Sequence, residues 1–421
     1  MTMAMKRLLT LLAAVLLLGI TPGSSLAAHA APAASAPATR SVMVFVTADD
    51  KGAENSTSKM ASIIEDAVGH NSSYELVDLR DAAGDAVSGD VRSAKKMADD
   101  DLAAAKKSFA SGSYEDAESK LHSAIKEYEN AAPALEKPDP YVEAIAYLAG
   151  TLQLRNKEDD ARDELITALG MKPAFKPDAK LGSNAFMDLL RSAKKEMNEG
   201  HKGTASVNTV PAGGKVIVDG ESKGYAPVSI DRLPVGKHVF IFERGGYQNG
   251  GQVAEVSSTE DTIIKGKFVP TQNFADVEDS LSQAAKEVQS SSAGPNTWKL
   301  LSHFKLDRAI VAVVRTSGDN LVLDLALVDA KAKRRISKRR NSFEGEEYGT
   351  LNREVNKLVS GLLADAEDPE KNGTVKPKNN GKDPLDSVSG MEDWDDDNGS
   401  SSKKGQDDSD RPKKKSHDDD N

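Results

Sequence analysis

The chain has 421 residues, with 55 Lys and Arg against 66 Asp and Glu, a formal net charge of −11, and no cysteine. The acidic balance argues against a general nucleic-acid binder, and the missing cysteine excludes disulfides, thiolate metal sites, cysteine nucleophiles and lipid attachment at a cleavage-point cysteine. With 29% charged and 5% aromatic residues the length allows roughly two to four domains, yet part of it cannot pack into a core.

Lys6-Arg7 precede the apolar run Leu8 to Ile20, Pro22-Gly23 break it, and Ala28-His29-Ala30 puts small residues where a signal peptidase reads. This predicts a signal peptide over residues 1–30, cleaved after Ala30, and an exported chain in the periplasm or at the cell surface. The run falls short of the roughly 20 residues that span a bilayer, and no later segment is long and apolar enough, so no transmembrane segment is expected after cleavage. Residues 31–39, alanine interleaved with Pro32 and Pro37, read as a linker.

Folded structure is expected from Arg40. Ser41 to Val46 has strand length and apolarity, Ser58 to Val68 sets Met60, Ile63, Ile64 and Ala67 on one helical face, and Tyr74 to Leu79 is a second strand. This opening, residues 40–85, is too short to bury both faces of its own sheet. Over residues 86–199 the period becomes that of amphipathic helices. Ala105, Phe109, Gly112, Tyr114, Ala117, Leu121, Ala124 and Tyr128 form one unit, and Tyr147, Leu148, Leu152, Leu154, Ala161, Leu165, Ala168 and Pro173 repeat the scheme. The spacing resembles tetratricopeptide repeats, although Asn156-Lys157-Glu158 stands where the first unit has its Gly-x-Tyr turn. Pro173 to Pro177 interrupts the helices, and Ala185 to Met197 closes them.

Residues 203–270 change to short strands and tight turns. Val216 and Val218 alternate with Lys215, Ile217 and Asp219, and Asp219-Gly220 supplies a turn whose second residue takes positive φ. Gly224 and Pro227 bracket the next connection, and Leu233-Pro234-Val235-Gly236 ends one strand and releases another. The series Pro211-Ala212-Gly213-Gly214, Val218-Asp219-Gly220, Gly224 to Pro227, Pro234-x-Gly236 and Gly246-Tyr247 resembles the PEGA domain, with Gly214 in place of the usual alanine. The resemblance implies a β-sandwich-like envelope module with a scaffold role and no catalytic residues; Pro211, Asp219, Gly220, Gly224, Pro227, Pro234, Gly236, Gly246 and Tyr247 are its structural turn positions.

Phe274 to Val288 and Thr297 to Phe304 read as helices, Ala309 to Val314 as a buried strand, Ser317 to Asn320 as a turn, and Leu321 to Val328 as its hairpin partner. A turn over Asp329 to Lys333 leads into Ile336 to Phe343. Leu351, Val355, Leu358, Val359, Leu362 and Leu363 stripe a last helix. Residues 272–366 lack an opening and residues 40–85 lack a completion, so one discontinuous α/β domain is expected, with the helical array and the β module inserted. The order, with Leu306-Asp307-Arg308 and Asp329, resembles the TolB-N-terminal and CsgG-like α/β domain. The fold class is thus a multi-domain α+β chain. Residues 367–421, nearly devoid of apolar side chains, form a charged tail expected to be disordered.

The seven histidines are scattered and no nucleophile elbow or phosphate loop occurs, so no catalytic, cofactor or metal site is expected. Asp393 to Asp397 begins like a calcium loop but lacks its glycine and closing glutamate. Tyr114, Tyr128, Tyr141 and Tyr147 would border a peptide groove, unless they serve as interhelix packing. Lys331, Lys333, Arg334, Arg335, Lys338, Arg339 and Arg340 would meet an anionic ligand, unless they are a solvated hairpin. The function expected is a non-enzymatic envelope scaffold with protein partners; the alternative is a binder of anionic cell-wall polymer or lipid headgroups through the basic hairpin.

Overall fold

Turn residues and changes of apolar period set the element boundaries, and the computed structural model describes residues 39–290, 293–344 and 348–367. The expected signal peptide, nearly all of the linker, and residues 368–421 of the tail lie outside the described residues. The chain opens with β1 (Arg40–Ala48), α1 (Thr57–Gly69), β2 (Tyr74–Leu76) and the short α2 (Leu79–Ala82). Five helices follow: α3 (Gly89–Ala110), α4 (Tyr114–Asn130), α5 (Asp139–Leu154), α6 (Glu158–Met171) and α7 (Asn184–Glu199). Short strands come next, β3 (Lys202–Val210), β4 (Lys215–Val218), β5 (Glu221–Tyr225), β6 (Val228–Pro234), β7 (Gly236–Glu243), β8 (Tyr247–Gln248), β9 (Gly250–Val256), β10 (Thr262–Lys267) and β11 (Val269–Pro270). The last part holds α8 (Gln272–Ala275), α9 (Glu278–Gln289), α10 (Pro295–His303), β12 (Arg308–Ser317), β13 (Asn320–Asp329), β14 (Arg334–Glu344) and α11 (Tyr348–Glu367). The fold is mixed α+β.

Two boundaries differ from expectation. The second strand stops at Leu76 because Asp78 caps α2, its Oδ1 accepting from the Arg80 N–H at 2.8 Å. The helix expected from Phe274 to Val288 breaks into α8 and α9, and both Phe274 and Val277 face the core at the break.

A five-stranded sheet has the order β14-β13-β12-β1-β2. β1 runs parallel to β12, Val42 opposite Arg308 through Ala48 opposite Val314, and parallel to β2, whereas β12, β13 and β14 form an antiparallel meander. Carboxylates pin the β1–β12 pair at both ends. Asp307 accepts from the Ser41 N–H at 2.9 Å and from its Oγ at 3.1 Å, and Asp50 accepts from the Thr316 N–H at 2.7 Å and from its Oγ1 at 2.8 Å. Arg308, only 2% exposed, donates to Asp329 at 3.1 Å, to Glu367 at 3.1 Å and to the Tyr74 hydroxyl. One guanidinium therefore joins β12, β13, α11 and β2.

Alternation along the strands gives the sheet two buried faces. Val42, Val44, Ile310 and Leu325 pack under α1 and α11, while Met43, Phe45, Val311 and Val328 pack under α9 and α10. This second core continues without a break into the short-stranded module. There a three-stranded sheet, β10-β3-β6, faces a four-stranded one, β5-β4-β7-β9, across Val207, Ile230, Val218 and Phe240. The outer face of the four-stranded sheet meets the helices: Val239 and Ile241 of β7 belong to the helical core, with Ile217 and Val253 packed against it.

The helices pair as hairpins. The α3–α4 turn is closed by Gly112 at φ 77° and the α5–α6 turn by Asn156 at φ 62°, the left-handed region that asparagine tolerates best after glycine. In each, an N–H just past the turn bonds back to the helix, Ser113 to Ser108 O at 2.9 Å and Lys157 to Leu152 O at 2.9 Å. The spacing from Gly112 to Asn156 exceeds the roughly 34-residue tetratricopeptide period. Part of the connecting segment near Pro133 and Pro138 is what the module touches, since a Cβ at Gly251 would lie 2.9 Å from Pro133 N and one at Gly220 would lie 3.3 Å from Glu136 O.

Phe45 is fully buried and stacks at 5.9 Å on Phe304, so Phe45→Ala is expected to cost about 3–5 kcal/mol. Urea unfolding measures the loss. Amide exchange at Ile310 to Val314, paired with β1, should rise with it; unchanged exchange there would mean that β1 and β12 are not energetically coupled.

Candidate functional site

A cleft opens where the carboxyl end of β1 and the first turns of α1 meet the turn after β7. It has two lobes of about 140 Å³ and 270 Å³, and Thr57, Leu79, Arg244 and Gly245 line both. In the open α/β plan, the carboxyl ends of parallel strands are where ligands bind. Ser58, Ala61, Ser62 and Glu65 of α1 face the smaller lobe, spaced three and four apart, while Met60, Ile63, Ile64 and Val68 turn to the sheet core.

The charges of the cleft are unevenly matched. Arg80 pairs with Asp78 at 2.6 Å and Lys215 with Glu243 at 3.3 Å. Arg244 has no carboxylate within ion-pair distance among the described residues: its Nη1 donates to Ala212 O and lies 3.5 Å from Thr57 Oγ1, and the guanidinium stands 5.5 Å from the centre of the Tyr247 ring. Burial holds Arg244 below the usual arginine range. Glu65 has neither an ion pair nor a hydrogen bond among the described residues, and burial, helped by the nearby negative charge of Asp78, pushes its carboxyl up to about 7. None of these residues was singled out by the sequence. They come from three distant segments, and no spacing announces them.

The turns of the short-stranded module carry its remaining polar order. Asp219 and Gly220, at φ 53° and 84°, make the two-residue turn between β4 and β5. The Asp219 carboxylate accepts from the Val239 N–H at 2.9 Å and contacts His238 Nδ1 at 2.6 Å, while His238 Nε2 lies 2.8 Å from Pro234 O. His238 is 1% exposed, and the network ties the β4–β5 turn to Pro234 at the end of β6. Pro211 and Pro227 both follow cis peptide bonds, and Gly224, Gly236 and Gly246 all have positive φ. Tyr247 packs between Phe268 and Phe274 at 5.8 and 5.3 Å, and its hydroxyl bonds Glu278 of α9. At Gly214 a Cβ would stand 2.6 Å from the Phe268 ring, which explains why glycine replaces alanine there.

Residues 202–272 match the PEGA domain. No curated protein and no solved structure matches the chain. The match extends slightly beyond the expected span at both ends, taking in the whole of β3 and the start of α8.

The PEGA module occupies the face of the helices that it touches, which bears on the tyrosines. Tyr128, Tyr141 and Tyr147 are 0% exposed, and their hydroxyls donate to Asp99, Glu129 and Asp178 at 2.8, 2.9 and 2.8 Å. They do not border a groove but fill the space between helices, where a ring buries large apolar area and its hydroxyl needs a local acceptor. Tyr114 is partly buried against Phe109 at 5.8 Å.

The basic run is likewise divided. Arg335 donates to Val288 O and Ser290 O, both at 2.6 Å, and Lys338 to Gln289 O at 3.2 Å, so two cations sit on the carbonyl end of α9. Arg339 pairs with Asp365 at 2.5 Å and Arg340 donates to Asp324 at 2.5 Å. Lys331, Lys333 and Arg334 are exposed. The seven candidates thus do not form one anionic-ligand surface, because strand alternation sends them to different neighbours. Among the described residues no group of three or more His, Asp or Glu could hold a metal.

The raised Glu65 carboxyl makes a pH prediction. The folded state holds the proton more tightly than the unfolded chain, whose carboxyl keeps its ordinary value of 4.5, so stability falls as pH rises from about 4.5 to about 7. Glu65→Gln should therefore stabilise the protein at pH 8 and make little difference at pH 4. Urea midpoints of both proteins at the two pH values provide the check.

Proposed function

We propose that the chain is an exported, non-enzymatic interaction scaffold of the cell envelope, built from a tetratricopeptide-like helical array, the PEGA module and one discontinuous α/β domain of the TolB-N-terminal and CsgG-like kind. The observation that carries this reading is the double burial of β7. Its Val239 and Ile241 enter the helical core and its Phe240 and Phe242 the core shared with the five-stranded sheet. A module cemented on both faces cannot swing, so the partner-facing surfaces of all three parts are held in one geometry. That is what an assembly platform requires. The matching hairpin turns at Gly112 and Asn156 support the repeat reading, and the parallel pairing of β1 with β12 supports the discontinuous domain. Export rests on Lys6-Arg7, the apolar run after it and Ala28-His29-Ala30.

The partners expected are other envelope proteins. The competing reading, capture of anionic cell-wall polymer or lipid headgroups, loses support where Arg335, Lys338, Arg339 and Arg340 are engaged with acceptors of the chain itself. Sedimentation with isolated cell wall separates the two. A scaffold stays in the supernatant at low salt and is crosslinked to defined proteins in intact envelopes, with its mature chain beginning near Ala31 by N-terminal sequencing. Pelleting at low salt that fades as salt rises, and that Lys331→Ala with Lys333→Ala removes, would replace the scaffold with electrostatic capture.

A further inference from the structure

Arg244 and Glu65 line one cleft and neither forms an ion pair, with each other or with any other residue, among the described residues, although Arg244 leans on Tyr247; the cleft's other charges, Arg80 with Asp78 and Lys215 with Glu243, are matched. Taking a guanidinium out of water without an anion is costly, and so is taking out a carboxylate without a cation. Here the frame keeps them apart. Arg244 is anchored through Nη1 at Ala212 O and beside Thr57 Oγ1, at the first turn of α1. Glu65 sits eight residues further along the same helix, about 12 Å along its axis, and its side chain leans back toward the N-terminus. Ser58, Ala61 and Ser62, which lie between Thr57 and Glu65 along α1, also line the cleft.

We propose that this cleft binds a small zwitterion, a molecule with a carboxylate at one end and an ammonium at the other, the carboxylate on Arg244 and the ammonium on Glu65. The guanidinium suits the first role because Nη1 is held at Ala212 O and near Thr57 Oγ1 while no carboxylate among the described residues pairs with it, and a planar guanidinium has five N–H donors to share with a carboxylate. Glu65 suits the second, since the attraction of nearby Arg80 does not offset its desolvation and the repulsion from Asp78, and an ammonium arriving there would relieve both. Ser58 and Ser62 line the same cleft. The cleft is independent of the scaffold reading, since a platform is compatible with a ligand site and equally with none.

Ligand-observed saturation-transfer NMR on the full-length protein tests the proposal with four probes. Glycine and glycylglycine carry both charges at two spans, N-acetylglycine carries the carboxylate alone, and glycinamide the ammonium alone. At least one zwitterion should bind saturably, and each single-charge probe should bind at least about tenfold more weakly, which corresponds to about 1.4 kcal/mol. Glu65→Gln should weaken the zwitterion by a similar factor and bring it level with N-acetylglycine. Arg244→Gln should do the same relative to glycinamide. Because Glu65→Gln is expected to stabilise the fold at pH 8, loss of binding in that variant cannot be put down to unfolding. Absence of saturable binding by both zwitterions, equal binding of a single-charge probe, or undiminished binding by Glu65→Gln would each overturn the assignment.

Discussion

The structure depends on a strand with no solvent face. β7 runs Gly236–Glu243, and five consecutive residues from His238 to Phe242 are buried. An antiparallel strand at a module surface would alternate, apolar inward and polar outward; this one is apolar on both sides because helices cover one side and the module's own sheet the other. Burying Val239, Phe240, Ile241 and Phe242 is worth about 1.5–3 kcal/mol each, and the gain is divided between two cores. Neither the helical array nor the PEGA module can therefore shed its neighbour without exposing a row of apolar side chains.

The five-stranded sheet solves a different difficulty. Its central pair joins chain segments separated by 266 positions at Ser41 and Asp307, and a flexible loop of that length carries an entropic cost that rises slowly with length. Folding the intervening chain into the array and the module brings the ends near each other. Directional bonds then select the register, with Asp307 at one end of the strand pair and Asp50 at the other. Arg308 adds a buried cation whose acceptors, Asp329, Glu367 and the Tyr74 hydroxyl, come from three different elements. Loss of that cation would strand the Asp329 carboxylate near the sheet, the expensive way to break a buried pair.

Much of this was legible along the chain, and the failures share one cause. Strands showed themselves where the period was two, as at Leu321 to Val328, and the hairpin at Asp219-Gly220 where turn chemistry is strict. The module stood out because its punctuating residues are local. The tyrosines were harder: their spacing is the same for packing and for a groove, and only the hydroxyl acceptors Asp99, Glu129 and Asp178, two of them on other helices and one in a loop, tell the two apart. The basic run looked like a patch because sequence adjacency says nothing about where alternate side chains of a strand point. The cleft was invisible for the strongest reason. Glu65 and Arg244 come to line one cleft only through the docking of the module on α1, and their lack of an ion pair among the described residues is a property of three-dimensional surroundings that no motif encodes.

The pairing of Arg40 with Glu367 at 2.8 Å brings the first and last described elements side by side, while α3 to α7 and the PEGA module between them contribute no strand to the five-stranded sheet. A tension applied across those two residues runs through β1, its neighbours β2 and β12, and α11. Helices α3 to α7 and the PEGA module lie off that load path. They would keep their shape, and whatever they hold, until β1 is sheared out of the sheet, so the fold acts as a mechanical bypass that shields its inserted parts from a pull on the chain.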